Sequence, residues 1–360
     1  MRQPPMFRMP DALSRGARRL LRSAPRHILL SVVLATTALA GGSTALSASQ
    51  TEATAAEPLP LEIFQQKEDL LFRVGYRLAT ANAAFCENAR PTAGLLIHDA
   101  HSYGNPQAVR QVFGLSGDIG AQSVAPGSPA AAIGLRANDT IEAVVGKPIA
   151  QSWPRSEPRW KRVFAVRDAI EEALLDGSVA ISWRTGDGEL RTGEIVGVPA
   201  CPTRFELVDS KNNAAATGER VLVGENFPGF GYDEESFAAA IAHEMAHNIF
   251  RHPQTFNDIG WKRKLVRLSE RDADRLMPWL LANAGYDPRA AIRFMQTWGP
   301  KHGGWIFRKR THDGWDERVE FIEAEIARIE AARARSGNGL ADWSAEFESE
   351  LAPALAQRTR

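Results

Sequence analysis

Residues 241–250 read IAHEMAHNIF, and residues 266–288 read VRLSERDADRLMPWLLANAGYDP. In the first stretch His243 and His247 stand four residues apart, which on a helix puts both imidazoles on one face within reach of a single cation. Glu244 projects beside that face, where it can take a proton from a water held there. Zinc suits such a pair, because three protein ligands leave a fourth position for water whose acidity the ion raises towards neutrality. The helix itself is well specified. Residues 234–250 contain no proline or glycine, Asp233 can cap the start, and Phe237, Ile241, Met245 and Phe250 supply apolar faces.

The choice of third ligand sorts the zinc peptidases. The long metzincin signature needs glycine at 250 and histidine at 253, but Phe250 and Pro253 stand there, which excludes that class. The second stretch instead offers Glu270, with Asp274 one turn later on the same helical face. Glu270 can ligate the metal while Asp274 orients a histidine ligand through its free ring nitrogen. The competing reading is a packed helix with two satisfied histidines and a surface glutamate; Glu270 and Asp274 in the right order argue against it.

Taken together, HEMAH, then ERDAD (270–274), AGYDPRAA (284–291) and THDGWDER (311–318) resemble metallopeptidase family forty-eight, the gluzincins that include HtpX and the CAAX prenyl proteases. The match covers roughly residues 205–330, in the family's order. It implies His243, His247 and Glu270 as ligands of one zinc ion and Glu244 as general base, with Asp274 at the acidic position of the family's ExxAD pattern. His312 and Arg318 correspond to its "THP, then R" segment, with Asp313 in place of the proline. A histidine near the metal can hydrogen-bond a tetrahedral oxyanion, the catalytic role expected for His312, with a capping or core histidine as the alternative; Arg318 is counted with it among the expected catalytic residues. The membrane helices of HtpX and the prenyl proteases have no counterpart here, so the closer comparison is with soluble envelope members carrying a PDZ domain.

Upstream, residues 93–199 change character: short β-rich runs such as GLLIH, TIEAVV, VAISWR and GEIVGV alternate with turn residues. Within them VAPGSPAAAIGLRANDTIEAVVGKPI (124–149), followed by a helical pattern over Val166–Leu175, resembles the PDZ domain of bacterial periplasmic proteases. Gly127 and Pro129 shape a turn, Ala130–Ala132 open a short helix, and Asn138-Asp139 turns the chain into a strand; Asn138 replaces the usual glycine but also accepts positive φ. Such modules bind extended peptides at a sheet edge, and Phe113-Gly114-Leu115 is the expected carboxylate loop. A spacer or lid role is the alternative.

Export is the expectation for the N-terminus. Arginines at 15, 18, 19, 22 and 26 precede an apolar run from Ile28 to Ala40 and small residues through Ala48. The run has about 13 residues where a spanning helix needs about 20, which favours a cleaved signal over an uncleaved anchor and points to the periplasm. The first 48 residues carry seven arginines and one acidic residue, leaving 36 basic and 42 acidic residues in the remainder, a balance that gives nucleic acid no foothold. The two cysteines, Cys86 and Cys201, are expected to pair in an oxidising compartment, with two buried free thiols as the alternative.

The expected fold is therefore α+β: a mostly helical, zincin-like metallopeptidase domain preceded by a small β-rich PDZ-like domain. Its boundaries are 1–48 for the signal, 49–60 for a linker, 61–92 for a helix packing on the peptidase domain, 93–199 for the PDZ-like domain, 200–335 for the peptidase domain and 336–360 for a tail. The expected function is zinc-dependent endoproteolysis of misfolded or unfolded envelope proteins, with substrate lying antiparallel to an edge strand near Arg220–Val223. Its partners are unfolded or C-terminal peptide segments, and peripheral membrane association is compatible with it. The rival is a zinc-binding, chaperone-like peptide binder with little or latent activity. His252 reads as a surface or helix-end residue and His302 as a loop residue; His98 and His101 belong to no second metal site, and Trp279, Trp298, Trp305 and Trp315 read as core.

Overall fold

The computed structural model describes residues 60–209, 211–302 and 313–357. The expected signal, the linker up to residue 59, Trp305 and His312 lie outside these. The first helix, α1 (Pro60–Ala81), buries Leu71, Val74, Leu78 and Ala79 along one stripe. Gly75 lets it lie tightly on its neighbour, since a Cβ there would fall 2.3 Å from the ring of Phe205.

A short strand, β1 (Arg90–Thr92), leads into the β-rich module. Its elements are β2 (Leu95–Asp99), α2 (Pro106–Phe113), β3 (Ile119–Val124), α3 (Pro129–Ala132), β4 (Thr140–Val144), β5 (Lys147–Pro148), α4 (Ile149–Ser152), α5 (Lys161–Leu175), β6 (Ser178–Arg184) and β7 (Leu190–Val196). The strands form one sheet in the order β2-β3-β4-β6-β7, with β5 paired to β4. Alternation explains the packing: Val179, Ile181 and Trp183 on β6 face inward to meet Val166, Ile170 and Leu174 of α5 in a core separate from that of the rest of the chain. The turn chemistry is as read from the sequence, with Gly127 at φ 69° and Asn138 at φ 71°, and Ser128 capping α3. Of the expected carboxylate loop, Phe113 ends α2, Gly114 closes it at φ 65°, and Leu115 begins the connection to β3; the side chains of Phe113 and Leu115 are buried in one small core with Ala100 and Val109.

The chain leaves the module through β8 (Val198–Ala200), which pairs antiparallel with β1. Cys86 and Cys201 are disulfide-bonded, with Cα atoms 5.5 Å apart across a sequence separation of 115. A second sheet follows, from β9 (Arg204–Val208), β10 (Ala214–Ala216) and β11 (Arg220–Gly224), in the order β10-β11-β9. Here the structure corrects the sequence reading, because β11 is central, antiparallel to β10 and parallel to β9. The strand at the edge beside the long helices is β10, whose three alanines carry little intrinsic strand preference.

The remainder is helical: α6 (Glu234–Ile249), α7 (His252–Ile259), α8 (Arg263–Asn283), α9 (Ala290–His302), α10 (Trp315–Arg335), α11 (Trp343–Glu346) and α12 (Leu351–Ala356). His302 thus ends a helix rather than sitting in a loop. Around α6, the apolar faces of α1, α8, α9 and α10 and of the second sheet merge into one core. Trp279 and Trp298 belong to that core, whereas Trp315 is 38% exposed. The tail is fastened to it: Asp272 accepts from the backbone N–H groups of Glu350 and Leu351, and Trp343 donates to buried Asn82 of the segment after α1. No helix among the described residues is long and apolar enough to cross a membrane.

Candidate metal centre

The site begins with the start of α6. Asp233 accepts hydrogen bonds from both the backbone N–H and the hydroxyl of Ser236, satisfying donors that a helix end leaves open. From there Phe237, Ile241 and Met245 are fully buried, which fixes the rotation of α6. That rotation turns His243 and His247 towards α8 and leaves Glu244 half-buried beside them.

On α8, Glu270 meets the two imidazoles. Nε2 of His243 and Nε2 of His247 lie 3.3 Å apart. Glu270 Oε2 is 3.4 Å from the first and its Oε1 is 3.6 Å from the second. Zinc bonds of about 2.0–2.2 Å in tetrahedral geometry separate neighbouring ligand atoms by about 3.3–3.6 Å. The spacing therefore fits one small divalent cation, and two imidazoles with one carboxylate form a donor set that leaves a position for water or substrate. These three residues are the only such group of histidines, cysteines or acids among the described residues.

Behind the ligands, Asp274 lies 3.1 Å from Nδ1 of His243, a charge contact whose N–H is not aligned for a regular hydrogen bond. Burial opposes ionisation of Asp274, yet Arg318 and His243 outweigh it and hold the carboxyl below its usual range. Burial likewise works against a proton on His243, but Asp274 and Glu270 raise it to about 10. A cation on His243 competes with that proton, so loading becomes more favourable as pH rises.

Arg318 comes from α10 and makes two hydrogen bonds to Asp274, each 2.6 Å. It meets His243 through that carboxylate. Asp313, which stands where the family pattern has proline, is ion-paired to Arg271 of α8, the neighbour of Glu270. It thereby ties the segment after His312 to the helix carrying the third ligand.

His252 stands at a helix end, as read from the sequence, opening α7, but not at the surface. His252 is buried, and its Nδ1 is 2.9 Å from Nδ1 of His247. A continuous helix would have carried it off the ligand face, but Arg251 adopts the left-handed conformation at φ 55° and ends α6. The chain then starts α7 and folds His252 back. Pro253 in the first turn of α7 was the available signal. Burial, reinforced by His247, pushes His252 down to about 3, so its ring is neutral. His98 is buried between Tyr103 and Phe113, remote in kind from a metal site.

The edge of the second sheet runs beside α6. The turn after β10 is pinned to it by the Gly218 N–H, which donates to Asn248 at 2.6 Å. Gly218 adopts φ 101°, a conformation that favours glycine, and the Gln254 side chain fills the space a Cβ would take. The chain matches no protein-family model and no curated protein.

Proposed function

We propose that this chain is a zinc-dependent endopeptidase acting on unfolded or misfolded proteins of the cell envelope. The observation that carries the reading is the convergence of His243, His247 and Glu270, with the two Nε2 atoms 3.3 Å apart and the two Glu270 oxygens 3.4 Å from the first and 3.6 Å from the second, joined to a glutamate immediately after the first histidine. The order of the motifs HEMAH, ERDAD, AGYDPRAA and THDGWDER, which resembles that of metallopeptidase family forty-eight, also supports it. When bound, zinc would supply Lewis acidity to a scissile carbonyl and to water.

The chain's own residues account for the rest. Glu244 accepts a proton as water adds to the carbonyl carbon, then delivers it to the nitrogen as the C–N bond breaks. Asp274 and Arg318 hold His243 in place. Substrate pairs with β10: Asn213 and Thr217 bond backward to the β11 hairpin, so by alternation Ala214 and Ala216 turn their backbone groups to the open edge. Small side chains there let an extended peptide come close.

The β-rich module fits a peptide-binding role of the PDZ type, with β2 as the edge strand of its sheet and α5 packed alongside. An envelope setting is consistent with the Cys86–Cys201 bond. The decisive test is zinc content together with casein cleavage for the parent and for Glu244→Gln. One zinc per chain in both, with cleavage in the parent alone, is expected. Zinc without cleavage in either would favour the rival peptide-binding reading, and no zinc would remove the site assignment.

A further inference from the structure

The His247–His252 contact restricts which nitrogens carry protons. A neutral imidazole has one N–H and one lone pair, and a nitrogen can ligate a metal only through its lone pair. The Nε2 of His247 is the atom that faces His243 and Glu270. For that atom to be free, the proton of His247 must sit on Nδ1, which points at Nδ1 of His252 2.9 Å away. His252 must then present a lone pair there and carry its own proton on Nε2. With the opposite arrangement, His252 would donate, His247 would be protonated on Nε2, and the metal position would be blocked.

We infer that His252 is a positioning residue that fixes His247 in the tautomer able to bind the cation. This rests on the zinc reading above. The two ligands are thus supported differently: His243 by a carboxylate, Asp274, and His247 by a neutral imidazole. The ring of His252 is itself held, packed between Phe250 and Phe256, so its acceptor keeps a fixed direction. A partner of this kind sets ring orientation and donor strength, and its loss weakens metal affinity by about 10–100-fold.

The test is the zinc dissociation constant, measured by chelator competition, for the parent, His252→Phe and His252→Asn. Phenylalanine keeps the aromatic packing and removes the acceptor; the asparagine carbonyl stands near the position of Nδ1. Affinity about 10–100-fold lower in His252→Phe and largely restored in His252→Asn is expected. Unchanged affinity in His252→Phe would overturn the inference. So would equal weakening in both variants, which would assign the effect to packing. A parent that binds no zinc would instead bring down the metal-site reading itself, a result distinct from either. Thermal unfolding of each protein in chelator separates loss of fold from loss of affinity.

Discussion

Arg318 grips both oxygens of Asp274 at 2.6 Å, and the same carboxylate faces His243 from behind. A helix late in the chain thereby steadies a ligand on α6 through one acidic residue of α8. Replacing Asp274 with alanine removes the support of His243 and strands a largely buried guanidinium. Zinc affinity should fall by about 10–100-fold and stability by about 3–5 kcal/mol. Chelator competition and urea unfolding measure the two separately; an unchanged zinc affinity would show that Asp274 serves the fold alone.

The edge strand offers a separate test. Ala216→Pro takes away a backbone donor that faces outward from β10, where substrate would pair. KM for an extended peptide should rise several-fold while zinc content stays at the parental value. An unaltered KM would remove β10 from the substrate path.

Glu68 of α1 meets the β-rich module, where the Gln122 side chain donates to it. Burial raises its carboxyl from 4.5 to about 7, against the lowering effect of that hydrogen bond. Below pH 4.5 the group is protonated whether the chain is folded or not. Between 4.5 and 7 only the unfolded chain releases its proton, so the stability contributed by this group falls across that window and stays lost above it. Unfolding curves for the parent and Glu68→Gln should diverge in favour of the variant as pH rises from 4.5 to 7; parallel pH profiles would mean that Glu68 ionises normally in the fold.

Reduction of the Cys86–Cys201 bond, or its replacement by two serines, opens a covalent loop spanning a sequence separation of 115. The expected loss is about 2–5 kcal/mol, chiefly through a freer unfolded chain. Differential scanning calorimetry with and without reductant reads it directly, and identical melting in both conditions would count against that account.

The parts of the site that were legible in the sequence are those governed by local periodicity. His243 and His247 sit four residues apart on one helix whose apolar stripe fixes its rotation, so spacing joined them, whereas Glu270, on another helix, was reached through the resemblance of ERDAD to the family pattern. Asp233 as the cap and Asn138 at positive φ were legible for the same reason, since each answers to its nearest neighbours. What escaped depended on a single backbone torsion or on tertiary context. His252 returns to the centre only because Arg251 takes φ 55°, a conformation that arginine seldom adopts. The alanines of β10 become a strand because β11 and α6 recruit them, while the more strand-like Arg220–Gly224 is drawn to the middle of the sheet.

The pairing of β1 with β8, clasped by a disulfide between cysteines just outside that pair, brings the entry and exit of the β-rich module side by side. Such a module is a cassette. It joins the rest of the chain at two adjacent ends, and it also meets α1, where Gln122 and Ser123 of β3 donate to Glu68 and Asp69. The same geometry gives an engineer a defined place at which to exchange the module while keeping His243, His247 and Glu270.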